Sequence, residues 1–167
     1  MKDAEEERFR EFMASRWPML VRLAYGLTGD RGLAEDLAQT TLAKVYASWG
    51  KVSRASDPDA YTYRILFNAN NERFRRKRVA EHFADAVPEQ GAPDLSAAVE
   101  QRTVLMTALT ELPPRQRAAV LLRYFEDLSE AQTAAVLGCS VGTIKSQTAD
   151  ALARLRRSPH LTDGGSR

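Results

Sequence analysis

The chain has 167 residues, 44% of them apolar, with 24 Lys and Arg against 22 Asp and Glu for a formal net charge of +2. That apolar fraction supports folded cores, and the length suits one domain or two small ones. A single cysteine excludes an intrachain disulfide and fits a reducing cytosol, and with no long apolar run or signal-peptide pattern the expectation is a soluble, cytoplasmic protein.

Charge is uneven along the chain. Asp3, Glu5, Glu6 and Glu7 crowd the start, whereas Arg73, Arg75, Arg76, Lys77 and Arg78 form a block that makes a local cationic patch. Over residues 5–27, Phe9, Phe12, Met13, Leu20, Leu23 and Leu27 recur at helical spacing. Trp17-Pro18 interrupts them and predicts a kink or two shorter helices. Gly29-Asp30 makes a turn, with Asp30 capping a helix over 31–49 whose broad apolar face carries Leu33, Leu37, Leu42, Val45, Tyr46 and Trp49. Its other face carries Glu35, Asp36, Gln39, Thr40 and Lys44. That face reads either as simply solvated or as a flat polar docking face with an aliphatic and aromatic rim.

Asp57-Pro58 opens the next helix as cap and first residue. Tyr61, Ile65, Leu66 and Ala69 face a core, while Arg64, Asn68, Asn71, Arg75 and Arg78 make a stripe that is polar at its start and cationic at its end. Such stripes are commonly just solvated. Here Tyr61 and Tyr63 add stacking surfaces, the asparagines add base-edge hydrogen bonds, and the arginines, Arg76 included, can track phosphates, which together suit an opened strand. Residues 80–95 then shift to Pro88, Gly91, Pro93 and several acids, the composition of a flexible linker.

Helix resumes over 95–112, with Val99, Leu105, Met106 and Leu109 on one side. Pro113-Pro114 stops it and starts a helix over 115–124, in which Ala118, Leu121, Leu122 and Phe125 pack inward and Arg115 and Arg117 are candidate phosphate contacts. Residues 129–156 read as two helices around a tight turn. Ser129 caps the first, Gly138 ends it in the left-handed conformation, and Ser140 caps the second. Val141, Ile144, Thr148, Leu152 and Leu155 form its buried face, leaving Thr143, Lys145, Ser146, Gln147 and Arg154 toward solvent. This is a helix-turn-helix whose second helix suits the major groove, with an ordinary helical hairpin as the alternative. Cys139 reads as a small packed side chain of the turn, and residues 158–167 as a disordered tail. The fold class expected is all-α, with two small helical domains joined by a flexible linker.

Four of these segments carry a family resemblance. Tyr124-Phe125-Glu126-Asp127-Leu128-Ser129 running into Leu137-Gly138-Cys139-Ser140-Val141-Gly142-Thr143-Ile144-Lys145-Ser146 resembles the C-terminal domain of the extracytoplasmic-function sigma factors, the small promoter-specificity subunits of bacterial RNA polymerase within the sigma-70 family. Leu112-Pro113-Pro114-Arg115-Gln116-Arg117 resembles the start of that domain. Ala34-Glu35-Asp36-Leu37-Ala38-Gln39-Thr40-Thr41-Leu42 resembles the segment that docks on the coiled-coil clamp of the polymerase's largest subunit. Tyr61-Thr62-Tyr63-Arg64-Ile65-Leu66-Phe67-Asn68 resembles the segment that melts and reads the promoter's -10 element.

The resemblance implies a domain over 5–79 that binds core polymerase and the -10 element, a linker over 80–95, a domain over 96–157 that reads the -35 element, and a tail over 158–167. Core contacts would come from Glu35, Asp36, Gln39, Thr40 and Lys44. Tyr61 and Tyr63 would border the melted strand, with Asn68 and its preceding loop holding an extruded base, and Arg64, Asn71, Arg75 and Arg76 completing the surface. Contacts to the -35 duplex would come from Arg115, Arg117, Ser140, Thr143, Lys145, Ser146, Gln147 and Arg154. The implied partners are core polymerase, promoter DNA and an anti-sigma factor. The sequence departs from the family pattern at Thr40, usually an acid; Thr62, usually leucine; Glu72, an acid beside the expected DNA face; Thr133, usually isoleucine; and Asp150, commonly basic.

No catalytic role, cofactor, metal or small-molecule substrate is expected. His82 and His160 share no ligand spacing with Cys139, and no glycine-rich phosphate loop or nucleophile-base pair appears. A dimeric helix-turn-helix regulator of duplex operators would explain the second half but leave the 61–78 stripe unexplained. A protein that sequesters a partner by helical packing would leave both DNA-suited surfaces unexplained.

Overall fold

The first helix does not stop at its proline. In the computed structural model, which describes residues 2–83 and 100–159, α1 (Asp3–Thr28) passes through Pro18 as one helix, not two. Proline in a helix costs about 3 kcal/mol, whereas each fully buried large apolar side chain contributes about 1.5–3 kcal/mol. Phe9 and Met13 before the proline and Leu20, Leu23 and Leu27 after it are all buried, so packing on both sides outweighs the missing amide. Gly29 ends α1 at φ 70°, and its amide donates to the Tyr25 carbonyl.

Asp30 caps α2 (Arg31–Ala47), its Oδ1 accepting the Leu33 amide at 2.9 Å. The predicted helix to Trp49 is broken at Ser48, and α3 (Trp49–Arg54) starts after it. Trp49 is buried edge-on to Phe9, ring centroids 5.6 Å apart, with Phe12 tilted against it at 5.4 Å. Leu33 and Tyr46, expected in the core, are about 41% and 42% exposed. Asp57 Oδ1 accepts the Ala60 amide at 3.0 Å and starts α4 (Pro58–Phe83). That helix continues past residue 80, so the predicted linker begins later than expected; its remainder, 84–95, lies outside the described residues.

The second half contains α5 (Glu100–Thr110) and α6 (Pro114–Val120), with Pro114 at the first helical position. The predicted start of α5 at 95 and its Val99 lie outside the described residues. Leu109 is buried and Met106 half-buried, but Leu105 is exposed. The predicted continuation of α6 widens into a π turn over Leu121–Phe125, where the Glu126 amide reaches back five residues to the Leu121 carbonyl. Phe125 is turned outward as a result. A capping box then starts α7 (Glu130–Leu137): Ser129 Oγ accepts the Gln132 amide at 3.0 Å while Gln132 Oε1 accepts the Ser129 amide at 2.8 Å. Gly138 closes α7 at φ 70°, and Ser140 Oγ accepts the Thr143 amide at 3.1 Å to start α8 (Val141–Arg157). Ile144 and Thr148 are buried as predicted, joined by Ala151, while Val141 is exposed. Ser158, assigned to the tail, is buried; residues beyond 159 lie outside the described set.

Helix α1 packs on α2 and α2 on α4; α6, α7 and α8 form the second bundle. The two halves also meet, α5 and α6 on α1 and α7 on α4, and one apolar cluster runs from Leu23, Leu27 and Leu66 through Leu109, Leu121 and Leu122.

Candidate nucleic-acid interface

The exposed face of α4 is set by what its buried face needs. Thr62, Leu66, Phe67, Ala69 and Asn70 are buried, so Arg64, Asn68, Asn71, Arg75 and Arg76 are left in solvent on the remaining arc. Tyr61 and Tyr63 are half-buried at its start. Two departures from the family pattern are absorbed locally. Thr62, with no exposed surface, donates its hydroxyl to the Pro58 carbonyl at 2.9 Å, and Thr133, equally buried, donates to Ser129 at 2.8 Å. Glu72 pairs with Arg76 at 2.8 Å and Lys44 at 3.6 Å, so this acid is neutralised by its neighbours.

On α2 the side chains of Glu35, Asp36, Gln39, Thr40 and Lys44 are exposed together, backed by buried Ala34, Leu37, Ala38, Thr41 and Val45. In the helix-turn-helix, Ser140, Lys145, Ser146 and Arg154 are exposed, and Thr143 and Gln147 are half-buried. Ser140 is already engaged as a cap, which leaves its hydroxyl little freedom for a base. Arg115 is exposed at the start of α6.

Arg117 is a correction. It is 7% exposed, and its guanidinium donates to the carbonyls of Leu27 at 2.7 Å, Thr110 at 2.6 Å and Leu112 at 3.0 Å. Those carbonyls end α1 and α5, so the cation meets the negative ends of two helices and is buried away from any phosphate. Burial, then the nearby charge of Arg73, holds its pKa below the usual guanidinium range.

The structure brings the two predicted DNA surfaces together. Asn71 of α4 lines one cleft of about 160 Å³ with Arg115, Thr143 and Gln147. A second, of about 520 Å³, is lined by Tyr61, Tyr63 and Arg64 with Glu126 and Asp127 of the turn before α7. Glu126 Oε1 accepts from Arg22 Nε and Nη2 at 3.0 and 2.7 Å, and Tyr63 donates to its Oε2 at 3.4 Å. Sequence reasoning missed Glu126 and Arg22. Arg22 and Glu126 lie 104 residues apart in sequence, so no periodicity could pair them.

Family models match both halves in this order: Sigma-70 region 2 over residues 13–79, and Sigma-70, region 4 over residues 102–155. The chain belongs to the sigma-70 family. Among curated relatives, the RNA polymerase sigma-E factor of Streptomyces antibioticus is 36% identical, the match covering 98% of this chain and 91% of the relative. That of Streptomyces coelicolor is 38% identical over 89% and 84%. An extracytoplasmic-function sigma factor of Mycobacterium tuberculosis, SigL, is 31% identical over 92% and 89%. The sigma factor RpoE of Bartonella quintana, solved with the anti-sigma factor NepR, superposes with a TM-score of 0.76 at 28% identity, covering 90% of this chain and 95% of that one.

The protein is therefore an extracytoplasmic-function sigma factor, a promoter-specificity subunit that directs core RNA polymerase to promoter DNA. Sigma factors are initiation factors and leave the chemistry to the polymerase. The region 2 match accounts for the half of the chain that a dimeric regulator leaves unexplained. Among the described residues, no group of His, Cys, Asp and Glu could hold a metal ion, and no helix is long and apolar enough to cross a membrane.

Proposed function

We propose that this sigma factor divides its work among three surfaces. Glu35, Asp36, Gln39, Thr40 and Lys44 of α2 dock on the polymerase clamp, with the exposed Leu33 adding a small apolar contact. Tyr61, Tyr63, Arg64, Asn68, Asn71, Arg75 and Arg76 of α4 hold the melted -10 strand, the tyrosines by stacking, the asparagines by base edges and the arginines by phosphates. Arg115, Thr143, Lys145, Ser146, Gln147 and Arg154 read the -35 duplex, with α8 in the major groove. The protein acts in the cytoplasm, where its polymerase is, and an anti-sigma partner of the kind seen with the Bartonella neighbour restrains it.

The observation that carries this reading is the exposed arc of α4, where stacking, base-reading and phosphate-binding groups occur in one continuous row. The test is run-off transcription with core polymerase on host promoters. Promoter-dependent transcripts should appear with the protein and fall by roughly 5-fold or more on Asn68→Ala or Lys145→Ala, since each removes about 1–3 kcal/mol of base or phosphate recognition. Transcripts unaffected by either change would refute these assignments.

A further inference from the structure

Two of the acids beside the surfaces assigned to DNA are neutralised by neighbours. Glu72 is held by Arg76 at 2.8 Å and Lys44 at 3.6 Å, and Glu126 by Arg22 at 2.7 Å. Asp150 of α8 is exposed and has no ion pair or hydrogen bond among the described residues, although Arg154 stands one turn further along the same helix. Its carboxylate therefore keeps its full capacity to accept.

Asp150 also belongs to the row offered to the groove. Thr143, Ser146, Gln147 and Asp150 are spaced i, i+3, i+4 and i+7, so they share one face of α8, on the arc that buried Ile144, Thr148 and Ala151 leave free. Seven residues of helix rise about 10 Å, the height of about three base pairs, so one row of this length can meet consecutive steps of a duplex. On one side, the neighbours of Asp150 a turn away are Ser146 and Ala153, both small. Its short side chain is not overtopped there, and α8 can lie close enough for it to meet a base edge.

A carboxylate accepts hydrogen bonds and cannot donate them. In the major groove guanine presents N7 and O6 and thymine presents O4, all acceptors that repel it. Adenine presents its amino donor beside the N7 acceptor, whereas cytosine presents only its N4 amino donor. We propose that Asp150 determines specificity within the -35 element by accepting a hydrogen bond from the N4 amino group of one cytosine. This rests on the assignment of α8 to the -35 duplex. A cation at this position would favour any sequence through its phosphates; the acid gives up that general attraction for a choice of base.

The test is transcription by core polymerase with the full-length chain from a barcoded pool of one promoter active in run-off, its -35 element randomised, with transcripts counted by sequencing. The parent should favour cytosine over each other base at one position by about 5-fold or more, the lower end of base discrimination being fitting for a single bond. Asp150→Ala should flatten that position alone. Asp150→Asn should move its preference to adenine, whose N6 and N7 match the acceptor and donor of an amide. Asp150 is exposed, so neither change disturbs the core. Simple repulsion between Asp150 and phosphates would be relieved equally for every sequence. Preferences unchanged at all positions in Asp150→Ala, whatever the total yield, therefore overturn the proposal. Gln147→Ala separates the two levels of failure. If it alters a position while Asp150→Ala alters none, the role of Asp150 alone falls; if neither alters any position, the assignment of α8 to the -35 duplex falls with it.

Discussion

Arg117 donates to the carbonyl oxygen of Leu27 at 2.7 Å, joining the start of the second bundle to the last turn of α1 across 90 residues. The same guanidinium ties down Thr110 and Leu112, so one side chain closes the ends of two helices. Replacing it with methionine keeps most of the packing but leaves these carbonyls to water or to nothing. A loss of roughly 2–4 kcal/mol is expected in urea denaturation, as for other buried charged hydrogen-bond hubs. Lysine should not rescue it, because a single ammonium cannot span three carbonyls held in the geometry of a fork. Full rescue by lysine would mean that charge alone matters there.

The correction at Arg117 also separates it from its neighbour in solution. Arg115 is exposed and free to meet a phosphate. Arg115→Ala and Lys145→Ala should each lower the slope of log affinity for -35 duplex against log salt by about 0.9, whereas a change at Arg117 should leave the slope unaltered. Equal slopes for Arg115→Ala and the parent protein would remove Arg115 from the interface.

What the sequence made legible follows from which interactions are local. Asp30, Asp57, Ser129 and Ser140 cap helices within three residues, and each cap is where its side-chain chemistry put it. The stripe on α4 was readable because its period is that of the helix itself. Two boundaries were not legible because they depend on partners remote in sequence: α2 stops short of Trp49, which joins an aromatic cluster with Phe9 and Phe12, and of the two outcomes open at Pro18 the division into two helices is ruled out, with residues buried on both sides of it. Arg117 looked like any exposed arginine in the first turn of a helix, and only the arrival of α1 makes it a buried anchor. The pairing of Arg22 with Glu126 has no local signal at all.

The buried threonines carry an expectation of tolerance. Thr41, Thr62, Thr133 and Thr148 each donate to a carbonyl four residues earlier, at 2.8, 2.9, 2.8 and 2.8 Å. A carbonyl in that position already accepts a helix amide where one is available, so removing the hydroxyl strands little. Thr133→Val should therefore change stability by less than about 1 kcal/mol, with the apolar replacement filling the same volume. A larger loss would show that the hydroxyl has a partner beyond its own helix.

Gly138 tests the turn of the helix-turn-helix. Its φ of 70° is left-handed, and a Cβ there would meet nothing within 4 Å. The cost of Gly138→Ala is thus confined to the backbone, about 1–2 kcal/mol, and Gly138→Asn should cost less because asparagine visits this region more readily. Thermal melts that rank alanine above asparagine would contradict it.

Tyr63 reports on closure through its own titration. Its hydroxyl is pushed up to about 12, first by burial, then by the negative charges of Glu126 and Asp59 and the hydrogen bond to Glu126, with Arg22 acting in the opposite direction. When the halves part, it should return toward the ordinary tyrosine value of about 10. A raised pKa means the closed form holds the proton more tightly, so its contribution to closure is complete below about pH 10 and is lost as pH rises toward about 12. Absorbance titration should therefore show a late tyrosinate step that vanishes in Tyr63→Phe and moves to lower pH in Glu126→Gln. A late step that persists unmoved in Glu126→Gln would place the cause in burial within α4's own bundle, not in the contact between the halves.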